Sequence, residues 1–229
     1  MVVQTGHDDG RTASIRERKR HIRRTMLALR QALPAAEHLA WSQAVWQHLI
    51  GLSWYQRARV LLGYMAFEKE VLTDGLLRQA IASQKQVVLP VVQADQQRLA
   101  LYAIQDVERD VAPGYRGIPE PQPTRTHPVA LETLELAIVP GVAFDPEGGR
   151  LGFGVGFYDR LLGQLHQAIP KVGMAFEFQV VPRLPRQAHD ITLDAIVTER
   201  RVIWCTPDSA ADEAAMARLT NGDAGRGEV

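Results

Sequence analysis

The sequence predicts a single α/β domain, and three observations carry that expectation. Apolar runs of strand length alternate with amphipathic stretches of helix length along most of the chain. The 229 residues, 46% hydrophobic and 23% charged, are enough to bury one sizeable core. One apolar run, LELAIV at 134–139, breaks at Pro140-Gly141 into a glycine-rich loop that ends in a helix entry, FYDRLL.

The composition excludes several classes of function. Lys and Arg together number 26, as do Asp and Glu, so the formal net charge is +0 and no whole-molecule field attracts nucleic acid or a membrane. Cys205 is the sole cysteine, which rules out a disulfide framework or a thiolate metal cluster and suggests a small buried hydrophobe. No apolar run reaches spanning length, and the opening MVVQTGHDDGRTAS carries Asp8 and Asp9 where a secretory leader would be apolar. The expectation is a cytoplasmic protein with neither nucleic acid nor membrane as partner.

Residues 1–13 are polar and aperiodic, and are expected to be disordered. A helix begins at Ser14, with Glu17 completing a capping box and Ile15, Ile22, Met26 and Leu29 forming an apolar stripe. Its other face carries Arg16, Arg18, Lys19, Arg20, Arg23, Arg24 and Arg30; most such faces are simply solvated, yet Lys19 and Arg23 are placed to reach a phosphate chain. A second helix opens at Pro34, its Leu39, Trp41, Val45, Trp46 and Leu49 read as core contacts. The strand RVLLGYM at 59–65 leads through a loop holding Glu70 into a helix over 73–83. Ligands of open α/β sheets bind in such loops, which makes Glu70 a candidate substrate contact, with an ordinary exposed glutamate as the alternative.

Strands at 86–92 and 99–104 are expected to pair as a hairpin. PGYRGIPEP, 113–121, is a rigid turn-rich loop, either a pocket wall or a surface crossing. After the helix at 157 come a strand from 171, a proline-punctuated loop, and HDITLD at 189–194 before strands at 195–198 and 201–204. Within HDITLD, His189 and Asp190 read first as a side-chain-bonded turn; Asp194, at the mouth of a strand, is the better metal candidate. The domain is expected to span 14–206, with a helix stub and flexible tail over 207–229.

The central loop itself reads as an anion cradle. Gly148, Gly149, Gly152, Gly154 and Gly156 free the backbone so that successive N–H groups can turn to one point. Arg150 precedes the tightest glycines, and Asp159 follows them. An acidic residue in a helix's first turn is usually a dipole partner, but beside phosphates it implies a hard cation such as Mg²⁺. A Walker loop is excluded because the chain has no Gly-Lys pair, and the dinucleotide fingerprint because GFGVG lies well downstream of its strand.

The segment VPGVAFDPEGGRLGFGVGFYDRLL closely resembles the signature of the 5-formyltetrahydrofolate cyclo-ligase family, also called methenyltetrahydrofolate synthetase. KRHIRR, MAFEKEVLT, GYRGIPEP and FQVVPRLPRQAHDITLDAIVTE follow the family's order, so the likeness runs from about residue 18 to about residue 204. The resemblance implies a three-layer α/β/α Rossmann-like sheet with helices on both faces. It also implies ATP- and Mg²⁺-dependent cyclisation of 5-formyltetrahydrofolate to 5,10-methenyltetrahydrofolate, with ADP and phosphate released.

Carried over by position, ATP contacts are Lys19, Arg20, His21, Ile22 and Arg23, then Arg150, Leu151, Gly152, Phe153, Gly154, Val155, Gly156, Phe157 and Tyr158. Arg150, Phe157 and Tyr158 are the implied catalytic group, and Asp159 and Asp194 the Mg²⁺ ligands. Folate contacts are Met65 and Glu70, with Phe153, Val155 and Phe157; Tyr64 and Phe67 suit the flat ring. A carboxylate at 70 matches a pterin edge offering adjacent N–H donors. The chain departs from the pattern at Phe157, where many members have tyrosine, and at Val155, where several have glycine or lysine. A monomer is expected. Rival readings are a non-catalytic folate- or nucleotide-binding relative, a sugar-phosphate isomerase without ATP dependence, and RNA binding through the basic helix.

Overall fold

The computed structural model describes residues 14–187, 190–211, 213 and 214. The tail expected over 1–13, His189, and most of the tail expected over 207–229 lie outside the described residues.

The chain opens with α1 (Ile15–Ala32), α2 (Ala35–Ile50) and the short α3 (Ser53–Arg57). It continues as β1 (Val60–Leu62), α4 (Asp74–Ala82), β2 (Gln86–Gln93), β3 (Arg98–Ile104), α5 (Val107–Asp110), β4 (Val111–Pro113), β5 (Pro119–Pro121) and β6 (His127–Pro128). The second half holds β7 (Leu136–Val139), β8 (Ala143–Phe144), β9 (Arg150–Leu151), α6 (Phe157–Leu162), β10 (Lys171–Met174), β11 (Ala195–Val197) and β12 (Val202–Trp204). The β2–β3 hairpin anticipated from the sequence is present as an antiparallel pair, and β11 and β12 form a second one. The β8–β9 hairpin, folded inside what reads as loop, was not foreseen.

Eight strands form one sheet in the order β12-β11-β10-β7-β1-β2-β3-β6, and β11, β10, β7, β1 and β2 run parallel. All four residues of β7 and of β10 are buried, because a parallel sheet is covered on both faces and cannot show apolar-polar alternation. Leu61, Leu136, Ile138 and Val172 pack on one face beneath Val45 and Leu49 of α2 and Leu76 and Leu77 of α4. Leu62, Ala137, Val139 and Ile196 pack on the other, beneath Leu161 and Leu162 of α6, Leu165 and Ile169. Helices therefore lie on both faces, as the three-layer expectation required.

The capping box at the start of α1 forms as read: Ser14 N–H donates to Glu17 at 2.8 Å, and Ser14 Oγ accepts from Glu17 N–H at 3.3 Å. The apolar stripe of that helix does not hold. Ile15 and Leu29 are 45% and 46% exposed, whereas Met26 is buried and so is Arg30, at 0%. The helix docks on the β8–β9 hairpin through Ile22 and Met26 and on loop carbonyls through Arg30, so its inward face is part apolar and part cationic.

After β12 the stub expected from Pro207 is helical over 207–211. Beyond it the Glu213 carboxylate accepts from Ser53 N–H at 2.5 Å, Ser53 Oγ at 2.8 Å and Trp54 N–H at 3.2 Å. It satisfies the free amides at the start of α3, so packing of the domain runs past residue 206. Among the described residues no helix is long and apolar enough to cross a membrane.

Candidate functional site

Strand order fixes where a ligand can sit. From β1 the chain crosses through α4 to β2 on one side, then returns to place β7 on the other side of β1. The segments leaving β1 and β7 diverge at this reversal and leave a crevice at the carboxyl ends of the strands. A cavity of about 900 Å³ fills it, lined by Tyr64, Met65, Phe67, Glu68 and Glu70 from the first segment and by the glycine loop from the second.

The β8–β9 hairpin delivers that loop. Its register is held by Asp145, wholly buried, whose carboxylate accepts from Glu147 and Gly149 N–H at 3.0 and 2.9 Å, from Leu184 N–H at 2.8 Å and from Arg186 at 2.6 Å. Burial alone would raise its pKa; the bonds from Leu184, Arg186 and Gly149 outweigh it and hold the carboxylate below its usual range.

Gly154 and Gly156 adopt φ of +103° and +78°, conformations that disfavour any residue with a Cβ. The main-chain N–H groups of residues 152–158 donate to no acceptor among the described residues. A run of free amides around left-handed glycines is what an anion cradle consists of. Because α6 has only six residues, the loop amides, more than a helix dipole, supply that field.

One face of α1 meets this loop. Arg16, Lys19 and Arg23 line the cavity; Arg23 Nε donates to the Gly152 carbonyl at 2.7 Å, and Lys19 Nζ pairs with Asp190 at 2.7 Å. Arg20 and His21 point elsewhere, onto a shallow depression of the outer surface, and Ile22 packs against Met26 and Val142. Three of the five helix positions carried over as ATP contacts are thus off the cavity. The helical repeat allows only residues three, four or seven apart to share that face.

Arg150 is buried beneath the loop. Its Nη2 donates to Asp159 at 2.6 Å and its Nη1 to the Pro140 carbonyl at 3.4 Å, while Nε has no acceptor among the described residues. The guanidinium lies 5.6 Å from the Tyr158 ring centroid. Burial, reinforced by the nearby Glu70 charge, pushes the Tyr158 phenol well up, so it remains a neutral hydroxyl. Phe157 stacks edge-to-face on Tyr115 at 6.1 Å, joining the loop to the 113–121 segment, which is therefore a cavity wall.

At the other end the Glu70 carboxylate is 6% exposed and accepts from Phe67 N–H at 3.2 Å. Burial pushes its pKa up to about 7, against the pull of Arg30. Met65, Phe67, Leu89, Pro90, Ile118 and Pro119 give the same cavity apolar wall, and the exposed Phe153 and Val155 line it from the glycine loop. Glu120, which no sequence signal singled out, is also buried there; burial raises its pKa although it accepts from Val92 N–H at 3.2 Å.

The expected metal pair does not assemble. Asp194 precedes β11, at the amino ends of the parallel strands and away from the cavity, where it accepts from Lys171 N–H at 2.7 Å and pairs with Lys171 Nζ at 3.0 Å. Asp190, read first as a turn residue, lines the cavity instead, and both Asp159 and Asp190 act on the charge of Arg23. Among the described residues no group of three or more His, Cys, Asp or Glu forms a metal cage. Cys205 is half-buried, with its thiol pushed up to about 12 by burial, and has no part in the site.

The sequence model of the 5-formyltetrahydrofolate cyclo-ligase family matches residues 15–199. The 5-formyltetrahydrofolate cyclo-ligase of Haemophilus influenzae is 31% identical over 179 residues, 77% of this chain and 95% of the relative. Among solved structures, the 5,10-methenyltetrahydrofolate synthetase of Aquifex aeolicus superposes with a TM-score of 0.71 at 36% identity, over 82% of this chain and 92% of that one. The 5,10-methenyltetrahydrofolate synthetase of Mycoplasma pneumoniae does so with a TM-score of 0.65 at 26% identity, over 79% and 98%.

Proposed function

The chain belongs to the 5-formyltetrahydrofolate cyclo-ligase family, and on that premise we propose that its cavity holds ATP and 5-formyltetrahydrofolate side by side. It cyclises the folate to 5,10-methenyltetrahydrofolate and releases ADP and phosphate. The observation that carries this reading is the union, in one cavity, of the main-chain amides of residues 152–158, which have no acceptor among the described residues, with the buried carboxylate of Glu70.

The chemistry asks for positioning and charge neutralisation more than for a dedicated base. The formyl oxygen attacks the γ-phosphorus as the bond to ADP breaks, leaving a phosphorylated imidate. Folate N10 then attacks the formyl carbon, the C–O bond to phosphate breaks, and N10 gives up its proton. The amides of residues 152–158, with Lys19 and Arg23, hold the phosphate chain. Arg150, tied to Asp159 and the Pro140 carbonyl, meets the transferred group from beneath the loop. Tyr158 supplies a neutral hydroxyl beside it. Glu70 accepts from the pterin edge, with Met65, Phe153, Val155 and Phe157 against the ring system.

The side chains also fit Mg²⁺. Asp159 and Asp190 are hard oxygen donors on the cavity wall, and with no cage of three carboxylates the ion would be completed by phosphate oxygens and water. Its contribution there is neutralisation of charge on the phosphate chain. The working unit in this reading is a monomer acting in the cytoplasm. The test is to mix the purified protein with 5-formyltetrahydrofolate, Mg²⁺ and ATP and follow the near-ultraviolet absorbance of the methenyl product. ATP-dependent growth of that signal is expected, and its absence overturns the reading.

A further inference from the structure

Arg30 belongs to neither the glycine loop nor the cavity-facing stretch of α1, and its side chain is completely enclosed. An arginine at 0% exposure demands acceptors for its donors. It finds them on two segments remote from it in sequence. Nη2 donates to the Glu68 carbonyl at 2.7 Å and the Phe67 carbonyl at 3.4 Å, and Nε to the Glu68 carbonyl at 3.2 Å. Nη1 reaches the Gly141 carbonyl at 3.5 Å, at the start of the segment that becomes the glycine loop. Nη1 also lies 3.7 Å from Glu70 Oε1, and the guanidinium sits 5.8 Å from the centre of the exposed Phe153 ring.

We propose that Arg30 is a positioning residue for the folate end of the site, fastening the 67–70 loop to Gly141 and setting the Glu70 carboxylate in place on the cavity wall. This rests on the cyclo-ligase reading, since Glu70 is the group through which it acts. The groups facing that carboxylate are few. Arg30 comes from α1, Glu68 from the same loop, Tyr64 from the segment that follows β1 and Tyr158 from α6; His38 of α2 bonds the main-chain carbonyl of Glu70, at 2.7 Å. Arg30 is the cation whose charge lowers the pKa of Glu70, against burial and the charge of Glu68.

The sign of the consequence follows. With the guanidinium present Glu70 loses its proton at about pH 7; with it removed, burial and Glu68 push the pKa higher, and the carboxyl stays protonated at neutral pH. Protonation turns one carboxyl oxygen into a donor, so Glu70 no longer offers both oxygens as acceptors to the adjacent N–H groups of a pterin edge.

The experiment measures KM for 5-formyltetrahydrofolate and for ATP from pH 6 to 9 in the unaltered protein and in R30M, R30K, E70Q and R30M/E70Q. In the unaltered protein the folate KM should rise as pH falls below about 7. In R30M it should be raised about tenfold or more at pH 7, and that rise should shrink towards pH 9, with the ATP KM moving less than about threefold. R30K, which keeps the charge but not the fork, should fall between the two. If R30M does not fold, the R30K profile carries the test. A folate KM raised equally at every pH, or raised as much by R30M in the E70Q background as alone, would show a merely structural arginine and overturn the proposal. Failure of the unaltered protein to bind 5-formyltetrahydrofolate at all overturns the cyclo-ligase reading and this inference with it; turnover with an R30K profile identical to that of the unaltered protein overturns the inference alone.

Discussion

Replacing Arg150 with alanine separates the stability and the turnover that this side chain supports. The guanidinium is 3% exposed and Asp159 27%, with the pair at 2.6 Å. Removing one partner of a fully buried pair costs about 3 to 5 kcal/mol, and an exposed pair is worth under about 1 kcal/mol. Asp159 is partly open to the cavity, so Arg150→Ala is expected to cost about 2 kcal/mol, most of it from the carboxylate left unpaired. Turnover should fall about a hundred- to a thousandfold, the range for losing one donor to developing transition-state charge. The double variant R150A/D159N should recover more than half of the lost stability, because the orphaned charge is gone, and none of the turnover. Urea midpoints and single-turnover rates with saturating ATP read the two effects separately. An R150A protein within about 0.5 kcal/mol of the original in stability and within about threefold in turnover would refute both roles.

The remaining predictions concern the rest of the site and its support. Lys19→Ala and Arg23→Ala should each raise the ATP KM about tenfold, the loss of one charge-assisted contact, while Arg20→Ala leaves it within about twofold; equal effects at all three would mean that the helix face is misassigned. Asp190→Asn should raise the Mg²⁺ concentration needed for half-maximal turnover and Asp194→Asn should not, as a Mg²⁺ titration will show. Asp145 is held below the usual carboxylate range. Its stabilisation is therefore complete above its unfolded value of about 3.9 and is lost as pH falls through the lower folded value. The stability gap between the unaltered protein and Asp145→Asn should accordingly narrow below about pH 4, and a constant gap by acid denaturation would contradict this.

Features set by short-range chemistry were readable from the chain. The capping box at Ser14 and Glu17, the strand at 86–92, the β2–β3 hairpin and the glycine loop all depend on neighbours within a few residues. What escaped depends on partners far along the chain. Arg30 resembles its solvated neighbours in α1, because the carbonyls that enclose it belong to Phe67, Glu68 and Gly141. Asp145 looks like any loop aspartate until Leu184 and Arg186 fold against it. Asp194 was preferred to Asp190 because strand mouths attract attention, but a strand has two ends, and Asp194 lies at the amino end while the cavity opens at the other. The stripe of Ile15 and Leu29 failed for the same reason: periodicity marks a face and does not say what comes to cover it.

The measurement that bears most directly on the whole account is a crystal structure of the protein with a non-hydrolysable ATP analogue. Oxygens of the β- and γ-phosphates should lie about 3 Å from main-chain nitrogens within residues 152–158, with Lys19 and Arg23 alongside. Phosphates bound elsewhere in the cavity, with those seven amides still unengaged, would contradict it.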